Sequence, residues 1–291
     1  MTLLSDPGFL VEYLNADVGF VCRAGQLLEQ GCSEWQRYEV WDTPAFGRLF
    51  RLDGSFMSSE RDEFYYHENL VHVPATVHAG LRRALIIGGG DGGSAEEVLK
   101  CPGIERVVIA ELDAKVVDIS RRYLQTIHHG ALDDPRVEIC IGDGMKYVSE
   151  ALSDTDRRFD LIVLDLTEPI GPAEALYSEA FFSACRALLA NGGALSLHLG
   201  SPVFQPARVR ALVDRLRAVF AVVRPYFLYI PLYGSLWGLA TASDALDPLS
   251  LPAQDIDCRL ASRRIGRLQH YNGAVHHAQF ALPNHLRALL A

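Results

Sequence analysis

Acidic side chains recur in this chain where apolar strand-like runs give way to loops. Asp91 lies inside "IIGGGDGG", Glu111 closes "RVVIAE", Asp143 stands in "IGDG", and Asp165 and Glu168 fall in "LIVLDLTEP". Carboxylates gathered at one rim can accept hydrogen bonds from ribose hydroxyls, hold cations, or take a proton from a reacting group.

The glycine-rich turn "ALIIGGGDGGSAEEVLK", residues 84–100, joins an apolar strand to a helix. Such a turn ordinarily suits an anion, because free N–H groups and the positive helix end point into it. Glu111, 18 residues beyond Gly93, sits where an acid accepts hydrogen bonds from ribose hydroxyls. Together they point to a nucleoside, without deciding between a nicotinamide dinucleotide and an adenosyl sulfonium. Asp91 weighs on that choice. A pyrophosphate pressed against the loop meets it as a like charge, at a cost on the order of a few kcal/mol, whereas a cationic ligand removes the conflict. The alternative is that Asp91 only caps the following helix. Asp143 is likewise either a turn residue between glycines or an acceptor for the exocyclic amine of adenine.

Asp165 and Glu168 precede "PIGP", a proline-stiffened loop able to hold both side chains in place. Two acids three residues apart can share a proton, ligate a metal, or bind a cation. No His or Cys stands near them in sequence, and magnesium ordinarily brings phosphates with it, which leaves general-base work on a protonated amine. Tyr66, His67 and Tyr233 are either hydrogen-bonded packing residues or parts of a site.

The elements that must position these groups are readable from pattern. Trp35 to about Asp62 alternates apolar and polar residues around Thr43-Pro44 and Asp53-Gly54, as a small antiparallel β domain does. "RDEFYYHENLVHVPATVHAG" reads as a helix followed by a loop. From "RALIIGGG" onward, short apolar strands alternate with helices, among them "SEAFFSACRALLANGG", expected to end at a Gly-Gly cap before the strand "ALSLHLG". "VVRPYFLYIPLYGSLWGLATAS" reads as a strand pair joined by a loop over Pro231–Ser235. The expected fold is α/β: a Rossmann-like, doubly wound, mainly parallel sheet over residues 65–291 behind an N-terminal antiparallel β domain over residues 1–64. In such a sheet ligands bind outside the carboxyl ends of the strands, where all four acidic stretches fall.

Bulk properties bound the partners. With 49% hydrophobic residues among 291, the chain has ample material for a packed core. Its 36 acidic against 27 basic side chains give a net charge of -9, which disfavours nucleic acid or an anionic membrane and suits small cations. The six cysteines form no C-x-x-C pair or metal-spaced cluster. "MTLLSDPGFL" is too short and polar for a signal peptide or a span, so a soluble, cytoplasmic protein is expected.

The ordered blocks "GRLFRLDG", "SERDEFYYHENLVHVP", "LIIGGGDGG", "GDGMKYV", "FDLIVLDLTEPIGPAEALYSEAFF", "IPLYG" and "YNGAVHHAQFALP" resemble those of the polyamine aminopropyltransferases, from about Trp35 to the end of the chain. The resemblance implies a homodimer or homotetramer that uses decarboxylated S-adenosylmethionine as co-substrate, with no metal. The aminopropyl group would pass to a polyamine amine, putrescine being the favoured acceptor, with release of methylthioadenosine. It further implies donor-binding roles for Gln36, Glu111, Asp143, Gly144 and Pro172, with Glu111 on the ribose. Asp91 matches the acid that grips the donor's ammonium and Asp165 the catalytic base. Tyr66, His67, Glu168 and Tyr233 match positions around the accepting amine. Three residues depart from the common pattern: Met57 and His198 replace glutamines, and Glu168 replaces an aspartate. All three bear on the acceptor more than on the reaction, and "DLTEP" with "RPYFLYIPLYGSLWG" also resembles the spermine and thermospermine synthases. A methyltransferase built on the same sheet is the competing class, and Asp91 argues against it.

Overall fold

The computed structural model describes residues 8–153, 158–169 and 171–291, except for the side chain of Pro172. The N-terminal part is antiparallel throughout. Strands β1 (Phe9–Tyr13) and β2 (Gly19–Arg23) form a hairpin, and β3 (Gln26–Cys32), β4 (Arg37–Thr43), β5 (Gly47–Leu52) and β6 (Ser55–Ser59) a four-stranded meander. Asp53 and Gly54 both take positive φ, 49° and 90°, in the β5–β6 turn. That geometry matches the right-handed twist of the flanking strands. The hairpin β1–β2 falls within the N-terminal domain expected over residues 1–64 but, like β3, upstream of the strand-like alternation that begins at Trp35. Its strands are short and half-exposed, so they carry little of the alternation by which a strand is recognised.

The rest is a seven-stranded sheet flanked by helices. Its strands are β7 (Arg83–Gly88), β8 (Arg106–Glu111), β9 (Val137–Ile141), β10 (Phe159–Asp165), β11 (Leu189–Gly200), β12 (Val222–Ile230) and β13 (Ser235–Ser243). They lie in the order β12-β13-β11-β10-β7-β8-β9. The pairs among β7 to β11 are parallel, while β13 runs antiparallel to both β11 and β12. The helices are α1 (Glu63–Val77), α2 (Gly93–Leu99), α3 (Ala114–Tyr123), α4 (Gln125–His128), α5 (Gly144–Ala151), α6 (Glu179–Leu188), α7 (Pro206–Val219), α8 (Ala253–Ser262), α9 (Gly273–Ala278) and α10 (Asn284–Leu290).

The central strands are apolar at successive positions because helices cover both faces. Leu85, Ile87, Ile162 and Leu164 enter a core with Phe181, Phe182 and Leu212 of α6 and α7. Their neighbours Ala84, Ile86, Leu161 and Val163 enter the opposite core with Leu70, Val98 and Ile256 of α1, α2 and α8. This period of two through an unbroken apolar run fixes the register of each strand. The meander joins through a third cluster, in which Tyr38, Val40, Phe50 and Leu52 meet Val116 and Ile119 of α3.

One boundary differs from the sequence reading. Helix α6 stops at Leu188, and Leu189 already has strand geometry and pairs with Phe159. Gly192 and Gly193 therefore do not cap the helix. Gly192 takes φ +79°, and a Cβ on Gly193 would fall 3.0 Å from the carbonyls of Ala190 and Phe159. The glycines serve the irregular start of β11, where its register with β10 shifts.

Strand β7 has β8 on one side and β10 on the other, so successive connections leave it in opposite directions. This is the topological switch point, where a crevice opens at the carboxyl ends. Asp165 pairs in register with Gly88 there, and the Gly89 N–H donates to the Asp165 carbonyl at 2.8 Å.

Candidate active site

The glycine loop brings the main chain against the end of β10. Gly88, Gly89 and Gly92 have φ of +80°, +66° and +81°, a region that side chains with a Cβ rarely occupy. A Cβ on Gly88 would stand 2.2 Å from the Asp165 carbonyl. This close approach places Asp91, at the tip of the loop, near Asp165.

His67 completes the cluster from α1. Its Nε2 lies 3.6 Å from Asp91 Oδ2 and 3.9 Å from Asp165 Oδ2, while its Nδ1 bonds Glu63 Oε2 at 2.7 Å one helical turn back. All but a few per cent of the His67 side chain is buried. Burial works against its charge, but Asp91, Glu63 and Asp165 prevail and push its pKa up to about 10. Imidazolium is therefore its state at neutral pH, and it serves as the internal countercation of two acids. The ligand atoms of His67, Asp91 and Asp165 lie within 4.8 Å of one another. With the imidazole protonated, the trio sets two acids around one cation.

Asp165 is shaped by opposing influences. Burial pushes its carboxyl up to about 6, Asp91 adds to the rise, and His67, the Ser94 hydroxyl and Tyr66 hold it down. Ser94 Oγ donates to Asp165 Oδ2 at 2.7 Å. Asp91 Oδ1 accepts from the Gly93 N–H at 3.1 Å at the start of α2, while its Oδ2 faces His67.

The residues expected to meet a nucleoside cluster beside the same loop. Glu111 Oε2 accepts from the Gly90 N–H at 3.2 Å and Oε1 from the Asp113 N–H at 2.9 Å. Burial pushes the Glu111 carboxyl up to about 7 despite these bonds. Gln36, from the meander, donates to Asp113 Oδ2 at 3.1 Å, which ties the N-terminal sheet to this end of the crevice. Asp143 is exposed and accepts from the Met145 N–H at 2.8 Å as the cap of α5. Gly144 is buried, and a Cβ there would meet Ile87 Cγ2 at 2.6 Å. Pro172 belongs to the short helix Gly171–Tyr177, and its side chain lies outside the described residues.

On the other flank of Asp165, aromatic rings form a wall. Tyr66 packs edge-on against His67 and Tyr233, with centroids at 5.2 and 6.2 Å, and Tyr233 donates to the Met57 carbonyl at 3.0 Å. His198 stacks on Trp237 at 6.0 Å and bonds the Tyr177 hydroxyl through Nε2 at 2.6 Å. Burial lowers its pKa, so it is a neutral member of this wall. Glu168 stands outside the trio. Its Oε1 accepts from Gln205 Nε2 at 3.0 Å, and its Oε2 pairs with Arg208 at 2.7 Å. The departure at His198 thus joins the aromatic wall, that at Met57 packs its side chain in the cluster between the meander and α3 and offers the wall only its carbonyl, and that at Glu168 is engaged by α7 and the residue before it.

Among the contributors that escaped the reading by pattern are Glu63, Ser94, Gln205 and Arg208. The spacing of Glu63 and His67, four residues apart on one helix, is the signal that could have found the first. The others meet their partners only through the tertiary fold.

Comparison with known proteins identifies the family. Residues 63–248 match the model of the spermine/spermidine synthase domain. The chain is 49% identical over 283 residues to a polyamine aminopropyltransferase of Nitrosomonas europaea, covering 97% of this chain and 86% of that one. It is 39% identical over 261 residues to polyamine aminopropyltransferase 1 of Pseudomonas aeruginosa, covering 89% and 90%. A crystal structure of spermidine synthase in complex with the transition state analogue AdoDATO superposes with a TM-score of 0.89 at 35% identity, covering 97% of this chain and 94% of that one. Spermidine synthase from Thermotoga maritima gives 0.86 at 34% identity, with 97% and 93% covered. The chain belongs to the spermine/spermidine synthase family and is a polyamine aminopropyltransferase.

Proposed function

We propose that this enzyme transfers the aminopropyl group of decarboxylated S-adenosylmethionine to putrescine, giving spermidine and 5'-methylthioadenosine. The observation that carries the reading is the meeting of Asp91 and Asp165 around one buried imidazolium: two acids prepared for positive charge beside a nucleoside-type crevice. In this assignment Glu111 holds the ribose, with Gln36 bracing that end through Asp113, and Asp143, Gly144 and Pro172 border the adenine. Asp91 holds the ammonium of the donor's propyl chain. Tyr66, His67, Glu168 and Tyr233 surround the acceptor.

The chemistry follows from charge. An ammonium has no lone pair, so the acceptor must first lose a proton to Asp165, eased by desolvation of the amine. The amine nitrogen then attacks the propyl carbon beside the sulfonium. An N–C bond forms, the C–S bond breaks, and the electron pair returns to sulfur, leaving a neutral thioether. Acids on either side of the reacting atoms hold two cationic chains in line, and positioning of this kind supplies much of the rate.

A second reading takes spermidine as acceptor, making the enzyme a spermine or thermospermine synthase. The replacement at His198 favours it, since it changes a member of the aromatic wall, and those at Met57 and Glu168 accompany it. The residues before and after position 64 form the two domains of this assignment, and a cytoplasmic homodimer or homotetramer is the proposed form.

Product analysis tests the assignment. The protein is incubated with intact or decarboxylated S-adenosylmethionine and with putrescine, cadaverine, agmatine or spermidine, and products are identified by mass spectrometry. Spermidine and methylthioadenosine from the decarboxylated donor with putrescine are expected. A preference for spermidine as acceptor would establish the second reading, and a methylated product from the intact donor would overturn both.

A further inference from the structure

Asp165 has two carboxylate oxygens in unequal surroundings. Oδ2 accepts the Ser94 hydroxyl at 2.7 Å and is the oxygen that stands 3.9 Å from His67 Nε2. Ser94 itself is fully buried on the first turn of α2. As the second residue of α2, it could satisfy its hydroxyl on a neighbouring backbone group of the helix start. Here it reaches instead from residue 94 to residue 165, across the crevice between the two strands that flank the switch point. The backbone fixes the other end of the same residue, through the Gly89 N–H on the Asp165 carbonyl.

We propose that Ser94 is a positioning residue for the catalytic base: it engages Asp165 Oδ2 and so presents Oδ1 as the oxygen that takes the proton from the accepting amine. In the step, the amine N–H bond breaks, its electron pair stays on nitrogen for attack on the propyl carbon, and the proton forms an O–H bond at Oδ1. Ser94 keeps its own proton throughout and gains a stronger acceptor whenever Asp165 is ionised, because a hydrogen bond to a charged oxygen exceeds one to a neutral acid. The charged and titratable groups around Asp165 from every packed element are His67 and Tyr66 of α1, Asp91 of the glycine loop, Glu111 of β8, Tyr177 before α6, and Tyr233 between β12 and β13. Ser94 and Tyr66 are the neutral donors to the base in this set, and loss of the Ser94 hydroxyl leaves the charges in place.

The inference rests on Asp165 being the base, and the experiment separates the two ideas. Turnover of Ser94→Ala, Ser94→Thr and Asp165→Asn is measured with decarboxylated S-adenosylmethionine and putrescine, as kcat and as kcat/KM for putrescine from pH 5.5 to 9. Methylthioadenosine affinity and the thermal midpoint serve as controls for folding. Removing a donor from a carboxylate disfavours its charged form, so the acidic limb of kcat/KM for Ser94→Ala moves to higher pH by about one unit, with the rate down about tenfold at the acidic end of the range and about twofold near neutrality. Ser94→Thr, which retains a hydroxyl, keeps the wild-type limb, and methylthioadenosine affinity stays within about twofold in both. An unshifted limb in Ser94→Ala overturns the proposal whether or not kcat falls, since a purely structural defect lowers the rate without moving the titration. Turnover retained by Asp165→Asn overturns the base assignment and this inference with it.

Discussion

His67 Nε2 faces Asp91 Oδ2 across 3.6 Å, with no hydrogen bond between them. The gap matters because an imidazolium at that distance lends its charge to Asp91 without committing the carboxylate. An arriving ammonium can then hydrogen-bond to Asp91 directly. The site thus answers its own electrostatic problem before ligand arrives, by keeping a cation beside two acids that would otherwise repel each other.

This arrangement makes Asp91→Asn a clean substitution. The side-chain carbonyl of Asn can still accept from the Gly93 N–H, so the helix start is preserved while the charge is removed. Affinity for decarboxylated S-adenosylmethionine should fall by about tenfold or more, with methylthioadenosine, which lacks the propylammonium, changing by less than about threefold. Titration calorimetry with both ligands reads the difference, and equal losses would reduce Asp91 to a helix cap.

Glu63 reinforces His67 from behind, through the 2.7 Å contact at Nδ1. Glu63→Gln removes a charge from the set that holds His67 up near 10, so its pKa should drop by about one unit or more. An NMR titration of the His67 ring checks this. An unchanged pKa would mean that Asp91 and Asp165 alone sustain the imidazolium.

Donor binding should release protons in mildly acidic solution. Burial pushes the Asp165 and Glu111 carboxyls up to about 6 and about 7, so both are partly protonated near pH 6.5. A bound cation, or a ribose donating to Glu111, favours the ionised forms and lowers both values. The release is therefore largest between pH 6 and 7 and fades as pH rises above 8, where both groups are already ionised. Calorimetry in two buffers of different ionisation enthalpy measures it, and identical enthalpies at pH 6.5 would contradict it.

How far these features were legible in the sequence depends on the range of the interaction. The glycine loop, the acids at the ends of β7 to β10, and the β12–β13 pair follow from local periodicity and turn residues. The switch point then follows from the strand-helix alternation, which is why Asp91 and Asp165 could be expected at one rim although 74 positions separate them. The hairpin β1–β2 was hidden because its half-exposed strands need the rest of the fold to cover them. The end of α6 was misread because Gly192-Gly193 offers the same signal for a helix cap and for a strand irregularity. Ser94, Gln205 and Arg208 are ordinary helix-region residues whose meaning appears only when α2 and α7 pack against the crevice.

Glu168 is the case where packing refines a role. Arg208 and Gln205 each hold one of its oxygens, so the carboxylate is fixed in place and its charge shared. If it still attracts the acceptor's cationic chain, Glu168→Gln should raise KM for putrescine by about tenfold, leaving donor affinity unchanged. Steady-state kinetics with each substrate varied in turn checks the prediction. An unchanged putrescine KM would assign Glu168 to anchoring α7.

The central claim is that Asp165 removes the proton that frees the attacking amine. The most direct measurement pairs the turnover of Asp165→Asn with its affinity for decarboxylated S-adenosylmethionine. An amide keeps the shape and the hydrogen-bonding capacity toward Ser94 but is far too weak a base, so turnover should fall by about a thousandfold or more while donor affinity stays within about threefold. Turnover within about tenfold of wild type, or loss of donor binding in step with loss of activity, would contradict the assignment.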